Sequence, residues 1–271
     1  MMRSLWTAAS GMKTQQTNVD VISNNLANVN TAAYKKESAE FKSLLYQTLQ
    51  AETTSANGEN KPIGAQVGLG VRNASITSNF TQGNLNQTDN TFDFAIDGDG
   101  FFSIQESNGE AYYTRTGSFQ ITTAVGGVML ADYEGRPVLD EQGSPIIFDG
   151  SLETSKITIT KDGELCYPDE TNNPQPMGIK LAIVRFANPA GLEKMGSGLY
   201  KETEASGDAQ LESNMMNIKR SELRQGYIEG SNVQVVDEMV DLIVAQRAYE
   251  MNSKAIQAAD EMMGQANSLR R

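Results

Sequence analysis

The sequence predicts an α+β protein in which N- and C-terminal helical arms pair as a coiled coil and carry an inserted all-β domain. Three observations lead there. Apolar residues recur with a helical period at both ends of the chain, and short runs rich in aromatic and β-branched residues fill the middle. Charge divides along the same boundaries. Residues 1–50 hold five Lys or Arg against three Asp or Glu, and residues 232–271 hold four against six. The ends therefore cancel, and the middle carries the whole formal charge of −12. The expected domains are 1–36 with 231–271 as one discontinuous helical assembly domain, 37–67 as a linker or extended connection, and 68–230 as the β domain with its return connection.

In the N-terminal arm, Leu5, Met12, Val19 and Leu26 fall seven apart, and Ala8, Gln15, Ile22 and Val29 follow three beyond each. This is a heptad stripe, interrupted at Gln15. A core helix of a globular domain is the commoner source of such a stripe. The rest of the helix surface argues for something else. Between residues 4 and 34 the only charged side chains are Lys13 and Asp20, the other polar positions being Thr, Ser, Gln and Asn. Solvated helix faces normally carry Lys and Glu, whereas a face of small and amide side chains suits close packing on other helices. The helix should end after Asn28-Val29-Asn30-Thr31, where side chains compete for the backbone. Phe41, Leu44, Leu45, Tyr46 and Leu49 then mark a second amphipathic piece or an extended strip, and residues 51–66 a polar loop.

From Gly68 to about Leu211 the period changes. Runs such as Phe92–Ile96, Phe101–Ile104, Tyr112-Tyr113, Val128–Leu130 and Leu181–Val184 are punctuated by Gly, Asn, Asp or Pro, as in an all-β domain. Residues 181–186 are nearly continuously apolar and should be a central strand. Residues 201–220 read as a return connection.

The C-terminal arm, Ser231 to Met263, places Val235, Met239, Leu242, Tyr249, Ile256 and Met263 on one helical face, with Ala245 and Ala259 between them. Ser231 and Gln234 resemble a capping box, and Asp237 and Glu238 sit where the helix dipole favours acid. Past Met251 the arm turns to Asn252, Ser253, Ala255, Gln257, Ala258 and Ala259, like its N-terminal counterpart. The arms are expected to pair with each other, to pack laterally on neighbouring subunits, and to be poorly ordered when free. The expected assembly interface is Leu5, Met12, Val19, Ile22, Leu26, Val29, Val235, Met239, Leu242, Tyr249, Ile256 and Met263.

Several functions are excluded or disfavoured. The chain has one cysteine, Cys166, and no histidine, which rules out an intrachain disulfide, thiolate zinc clusters, imidazole ligation and His-based nucleophilic catalysis. The acidic balance argues against nucleic acid or an anionic membrane as partner. No run of about 18 apolar residues offers a membrane span. The N-terminus turns polar at Lys13-Thr14-Gln15-Gln16, so no cleaved secretory signal is expected. Gly64–Gly70 lacks the Lys-Ser/Thr ending of a phosphate loop. Asp97-Gly98-Asp99-Gly100 fits a calcium loop poorly, since Ala95 would fall at its first ligand position, and a hairpin turn is the better reading. Acidic pairs such as Asp140-Glu141 and Asp169-Glu170 lie in turn-like runs and read as solvated surface, although an acid-pair hydrolase stays open as an alternative. No catalytic residue, cofactor or metal ligand is expected.

Three separated motifs carry a resemblance. Ser23–Thr31 with Tyr34-Lys35 resembles the N-terminal signature of bacterial flagellar rod and hook proteins. Ala95–Phe102 with Tyr113–Phe119 is similar to the opening of that family's β domain, and Gln225–Val233 with Gln246–Glu250 to its C-terminal end. The likeness is weak between about residues 120 and 215. Leu44–Thr48 and the polar stretch before Gly68 look like the branch that builds the distal rod; a proximal rod, hook or hook-junction subunit is the alternative. Ala33 departs from the usual Gly before the aromatic and Lys, so the turn there should be less open to positive φ. The resemblance implies export unfolded through the flagellar type III apparatus and helical homo-polymerisation in the basal body. It also implies contacts with other rod and hook proteins, without membrane insertion.

Overall fold

A computed structural model describes residues 2–50, 64–124, 126–150, 152–169, 173–215 and 219–268. The chain divides into two compact units, one of residues 1–27, 37–78 and 234–271, the other of 28–36 and 79–233.

The first unit holds two helices and two strand pairs: α1 (Met2–Ala27), β1 (Glu37–Ser43), β2 (Tyr46–Gln50), β3 (Ala65–Gly68), β4 (Val71–Ser78) and α2 (Val235–Ser268). β1 pairs antiparallel with β4, from Glu37 opposite Ser78 to Ser43 opposite Val71, with a bulge between Glu40 and Phe41. β2 pairs antiparallel with β3, Tyr46 standing opposite Gly68. Hydrogen bonds from Leu44 N to Gly70 O and from Leu69 N to Leu45 O join the two pairs into one ribbon. The described residues of the segment expected as a linker or extended connection, 37–50 and 64–67, lie mostly in paired strands. Of the expected loop over 51–66, residues 51–63 lie outside the described residues, while Ala65 and Gln66 belong to β3.

α1 packs against both β1 and β4. Ser10 Oγ accepts from Val71 N at 3.3 Å, and Asn73 Nδ2 donates to Thr17 Oγ1 at 2.7 Å. Gly70 allows this approach, since a Cβ there would collide with Ser10 Oγ. α2 begins one residue after Gln234, whose carbonyl accepts from Glu238 N at 3.1 Å. The expected capping box does not form. Ser231 lies four residues ahead of the helix, and its Oγ accepts from Val233 N at 3.3 Å instead.

In the second unit the main sheet has six antiparallel strands in the order Glu193–Gly196, Leu199–Lys201, Ala111–Thr114, Phe101–Gln105, Ile183–Arg185 and Gln210–Leu211. Strand alternation sends adjacent aromatics to opposite faces. Phe102, Ile104, Tyr112 and Ile183 join a core with Phe94, Phe119, Leu130, Ile157 and Leu165. Phe101, Tyr113 and Val184 join a second core with Phe186, Leu192 and Tyr200. The strand from 183 is buried but second from an edge rather than central, because Gln210–Leu211 covers it with only two residues. The turn at Asp97–Gly100 is no hairpin either. The strand before it, Phe94–Asp97, pairs with Glu222–Gln225, while the strand after it enters the six-stranded sheet. The turn hands the chain from one sheet to another.

Candidate assembly surface

Small and polar side chains take part in the pairing of α1 with α2. Gly11 faces Asn252 so closely that a Cβ would sit 2.9 Å from its Nδ2. Asn25 Nδ2 donates to Glu238 Oε2 at 3.0 Å. Residue 11 opposite 252 and 25 opposite 238 make the helices antiparallel. Asn25 also anchors β1, donating to Glu37 O at 2.8 Å and accepting from Glu37 N at 2.9 Å. The fully buried positions of α2 are Glu238, Ala245 and Ala259, which with Leu242, Asn252 and Ile256 form a heptad line. Gly11 lets the helices approach closely, and a buried amide–carboxylate hydrogen bond ties Asn25 to Glu238.

The residues expected at the interface are distributed along these helices. Ile22 is buried; Leu5, Met12, Val19, Leu26, Leu242, Ile256 and Met263 are half-buried; Val235, Met239 and Tyr249 are exposed. Val29 is half-buried but lies beyond α1, in the second unit. Val19 and Tyr249 meet in an open cleft with Gln16, Gln246 and Glu250.

Sequence reasoning passed over a second stripe. Val236 (74% exposed), Val240, Ile243, Val244, Met251 (71%) and Met262 stand in solvent on α2, and Trp6 (74%) does so on α1. Val236, Val240, Val244, Met251 and Met262 follow helical spacing along a single outer face. The first half of α2 is therefore apolar on two faces, a pattern proper to a helix with neighbours on both sides. The doublets Val235-Val236 and Ile243-Val244 were its signal, since one stripe cannot absorb both members. The ribbon adds Phe41, Leu45, Tyr46, Leu49, Val67, Leu69 and Ile76 to the exposed apolar surface of this unit.

The second unit contains a buried cluster of charges. Lys35 Nζ lies 2.6 Å from Glu229 Oε1 and donates to Thr81 O at 2.9 Å. Arg115 Nε lies 3.2 Å from Glu229 Oε2, and its guanidinium donates to Gly98 O and Gly100 O at 2.9 and 2.7 Å. Gly83 N donates to Glu229 Oε1 at 2.8 Å. Desolvation pushes both the Lys35 ammonium and the Arg115 guanidinium below their ordinary values, with Glu229 opposing the shift. The cluster closes the Ala33 turn as well, because Glu229 O accepts from Ala33 N at 2.8 Å. Ala33 takes a left-handed φ of 55° despite its Cβ. The expectation of a turn less open to positive φ does not hold, and the surrounding hydrogen bonds impose the conformation.

Among the described residues no group of three or more Cys, Asp or Glu side chains is placed to hold a metal. Nor is any described helix long and apolar enough to cross a membrane.

Comparison with known proteins gives three family models in the order of the motifs. They are flagella basal body rod protein over residues 5–35, flagellar hook protein FlgE/F/G D1 domain over 95–167, and flagellar basal body rod FlgEFG protein C-terminal over 224–269. Lys35, Arg115 and Glu229 fall one in each matched segment. The chain is 46% identical to flagellar basal-body rod protein FlgG of Borreliella burgdorferi over 277 residues, covering all of both chains. It is 42% identical to the FlgG of Agrobacterium fabrum, over 96% of this chain and 97% of that one. It is 36% identical to the FlgG of Bacillus subtilis over the full length of both. Three family models in order along the chain, and full-length similarity to several FlgG proteins, lead to one conclusion: the chain belongs to the flagellar basal-body rod protein family.

Proposed function

We propose that this chain polymerises helically with copies of itself through the outer faces of α1 and α2, building the distal segment of the rod. It is a structural subunit of the flagellar basal body, not an enzyme. Within each subunit the two arms work as an antiparallel coiled-coil pair, and the expected interface from Leu5 to Met263 serves partly inside this pair and partly between subunits. The subunit reaches its place through the flagellar type III export apparatus and joins other rod and hook proteins at the ends of the segment.

The observation that carries this reading is the outer apolar face of α2. A 34-residue helix with Val236, Val240, Val244 and Met251 in solvent exposes more apolar side chain than an isolated subunit needs. Burying each such side chain contributes on the order of 1.5–3 kcal/mol. Contacts of one patch on a different patch of the next copy generate a filament when the rotation between copies does not close into a ring. The rod transmits torque, and lateral packing of apolar and amide side chains along the helices is suited to resist shear between subunits.

Negative-stain microscopy of concentrated protein tests the reading. Straight tubes are expected from the wild type and none from Leu242→Asp or Ile256→Asp, with the strand signal in circular dichroism retained in both variants. Curved tubes would move the assignment to the hook, and absence of any polymer would move it to a junction role.

A further inference from the structure

The exposed methionines of α2 have a chemistry that assembly alone does not use. Met239, Met251 and Met262 are exposed on the helix, and Met195 is exposed in the other unit. Met251 and Met262 are eleven residues apart, about three helical turns, and Val240 lies eleven before Met251. All three therefore share the outer face. From Met251 onward that face carries no other large exposed apolar side chain, Ile256 and Met263 being half-buried.

We propose that Met251 and Met262 are oxidation sites that make assembly of the free subunit sensitive to peroxides. The proposal rests on the reading that the outer face of α2 packs against another copy. A thioether sulfur lone pair attacks one oxygen of hydrogen peroxide and the O–O bond breaks. The sulfur gains the oxygen as a sulfoxide, and the displaced hydroxide takes up the remaining proton as water. Sulfur is oxidised and peroxide reduced, with no further reagent. Each event converts a flexible apolar side chain into a polar one bearing a strong acceptor oxygen. Placed on a contact surface that must shed water, that oxygen weakens packing. Subunits already in a polymer shield the same sulfurs, so the free chain is the vulnerable form.

The test treats the full-length chain with hydrogen peroxide, maps oxidised peptides by mass spectrometry, and measures the critical concentration for polymerisation by sedimentation. Met195, Met239, Met251 and Met262 should oxidise ahead of the half-buried Met12 and Met263. Once Met251 and Met262 carry sulfoxide, the critical concentration should rise roughly tenfold or more. The critical concentration of the variant Met251→Leu/Met262→Leu after the same treatment should stay within about twofold of that variant's own untreated value, with Met195 and Met239 still oxidised. Unchanged polymerisation of doubly oxidised wild type, or equal sensitivity of the leucine variant, would overturn the oxidation proposal and leave the packing reading standing. Failure of untreated wild type to polymerise at any concentration would overturn both.

Discussion

Glu229→Gln is the substitution whose cost follows most directly from the structure. The change keeps the shape of the side chain and removes its charge, leaving Lys35 and Arg115 as cations whose side chains are 1% and 3% exposed. Stranding a buried charge costs about 3–5 kcal/mol. The carbonyls of Thr81, Gly98 and Gly100 still accept from the two cations, which keeps the loss near that range instead of doubling it. With a urea slope of about 2 kcal/mol per M, the midpoint of unfolding should fall by about 2 M. Lys35→Met should cost less, about 1–3 kcal/mol, because Glu229 keeps Arg115 Nε and Gly83 N. The double variant should be more stable than the sum of the single losses implies. Urea titration followed by circular dichroism checks all three. A Glu229→Gln variant within 1 kcal/mol of wild type, or less costly than Lys35→Met, would refute the reasoning.

Two further predictions concern the same unit. Ala33→Val should destabilise by about 2–4 kcal/mol, since a β-branched side chain does not tolerate φ near 55°, whereas Ala33→Gly should stay within about 1 kcal/mol of wild type; urea titration of both variants measures the asymmetry. The Tyr113 phenol is pushed up to about 12, by burial first and then by Glu202. The folded chain thus holds this proton where the unfolded chain has released it. The resulting stability is fully present below about pH 10 and is lost as pH rises through 12, about 2–3 kcal/mol in all. Tyr113→Phe should flatten the alkaline decline by that amount, as read from denaturation midpoints between pH 9 and 12.

Much of the fold was legible in the sequence because it is encoded by local periods. Both helices and the aromatic strands follow from spacing alone, and the motifs were visible as strings. What the strings do was not visible. Lys35, Arg115 and Glu229 are far apart in sequence, and only the fold brings them within ion-pair distance. Hydrophobic stripes pointed to Leu and Val as the contact line between the helices, yet the approaches seen across it bring Gly11 onto Asn252 and Asn25 onto Glu238. A buried glutamate is illegible until its amide partner is known. The Ser231 cap failed because Asn232 is held elsewhere. Its Oδ1 accepts from Lys36 N at 2.6 Å and its Nδ2 donates to the carbonyls of Asn79 and Thr81, and the helix begins only at Val235. The outer stripe of α2 is written in the doublets Val235-Val236 and Ile243-Val244, but the inner stripe alone accounts for a helical period.

The central claim is that the outer face of α2 joins subunits. Val240→Asp/Val244→Asp tests it most directly, because both side chains stand in solvent and the folded subunit does not depend on them. Analytical sedimentation of this variant beside wild type, with matched circular dichroism and urea midpoints, should show wild type pelleting as polymer and the variant remaining soluble at the same concentration. Polymerisation of a folded Val240→Asp/Val244→Asp chain at the wild-type critical concentration would contradict the account.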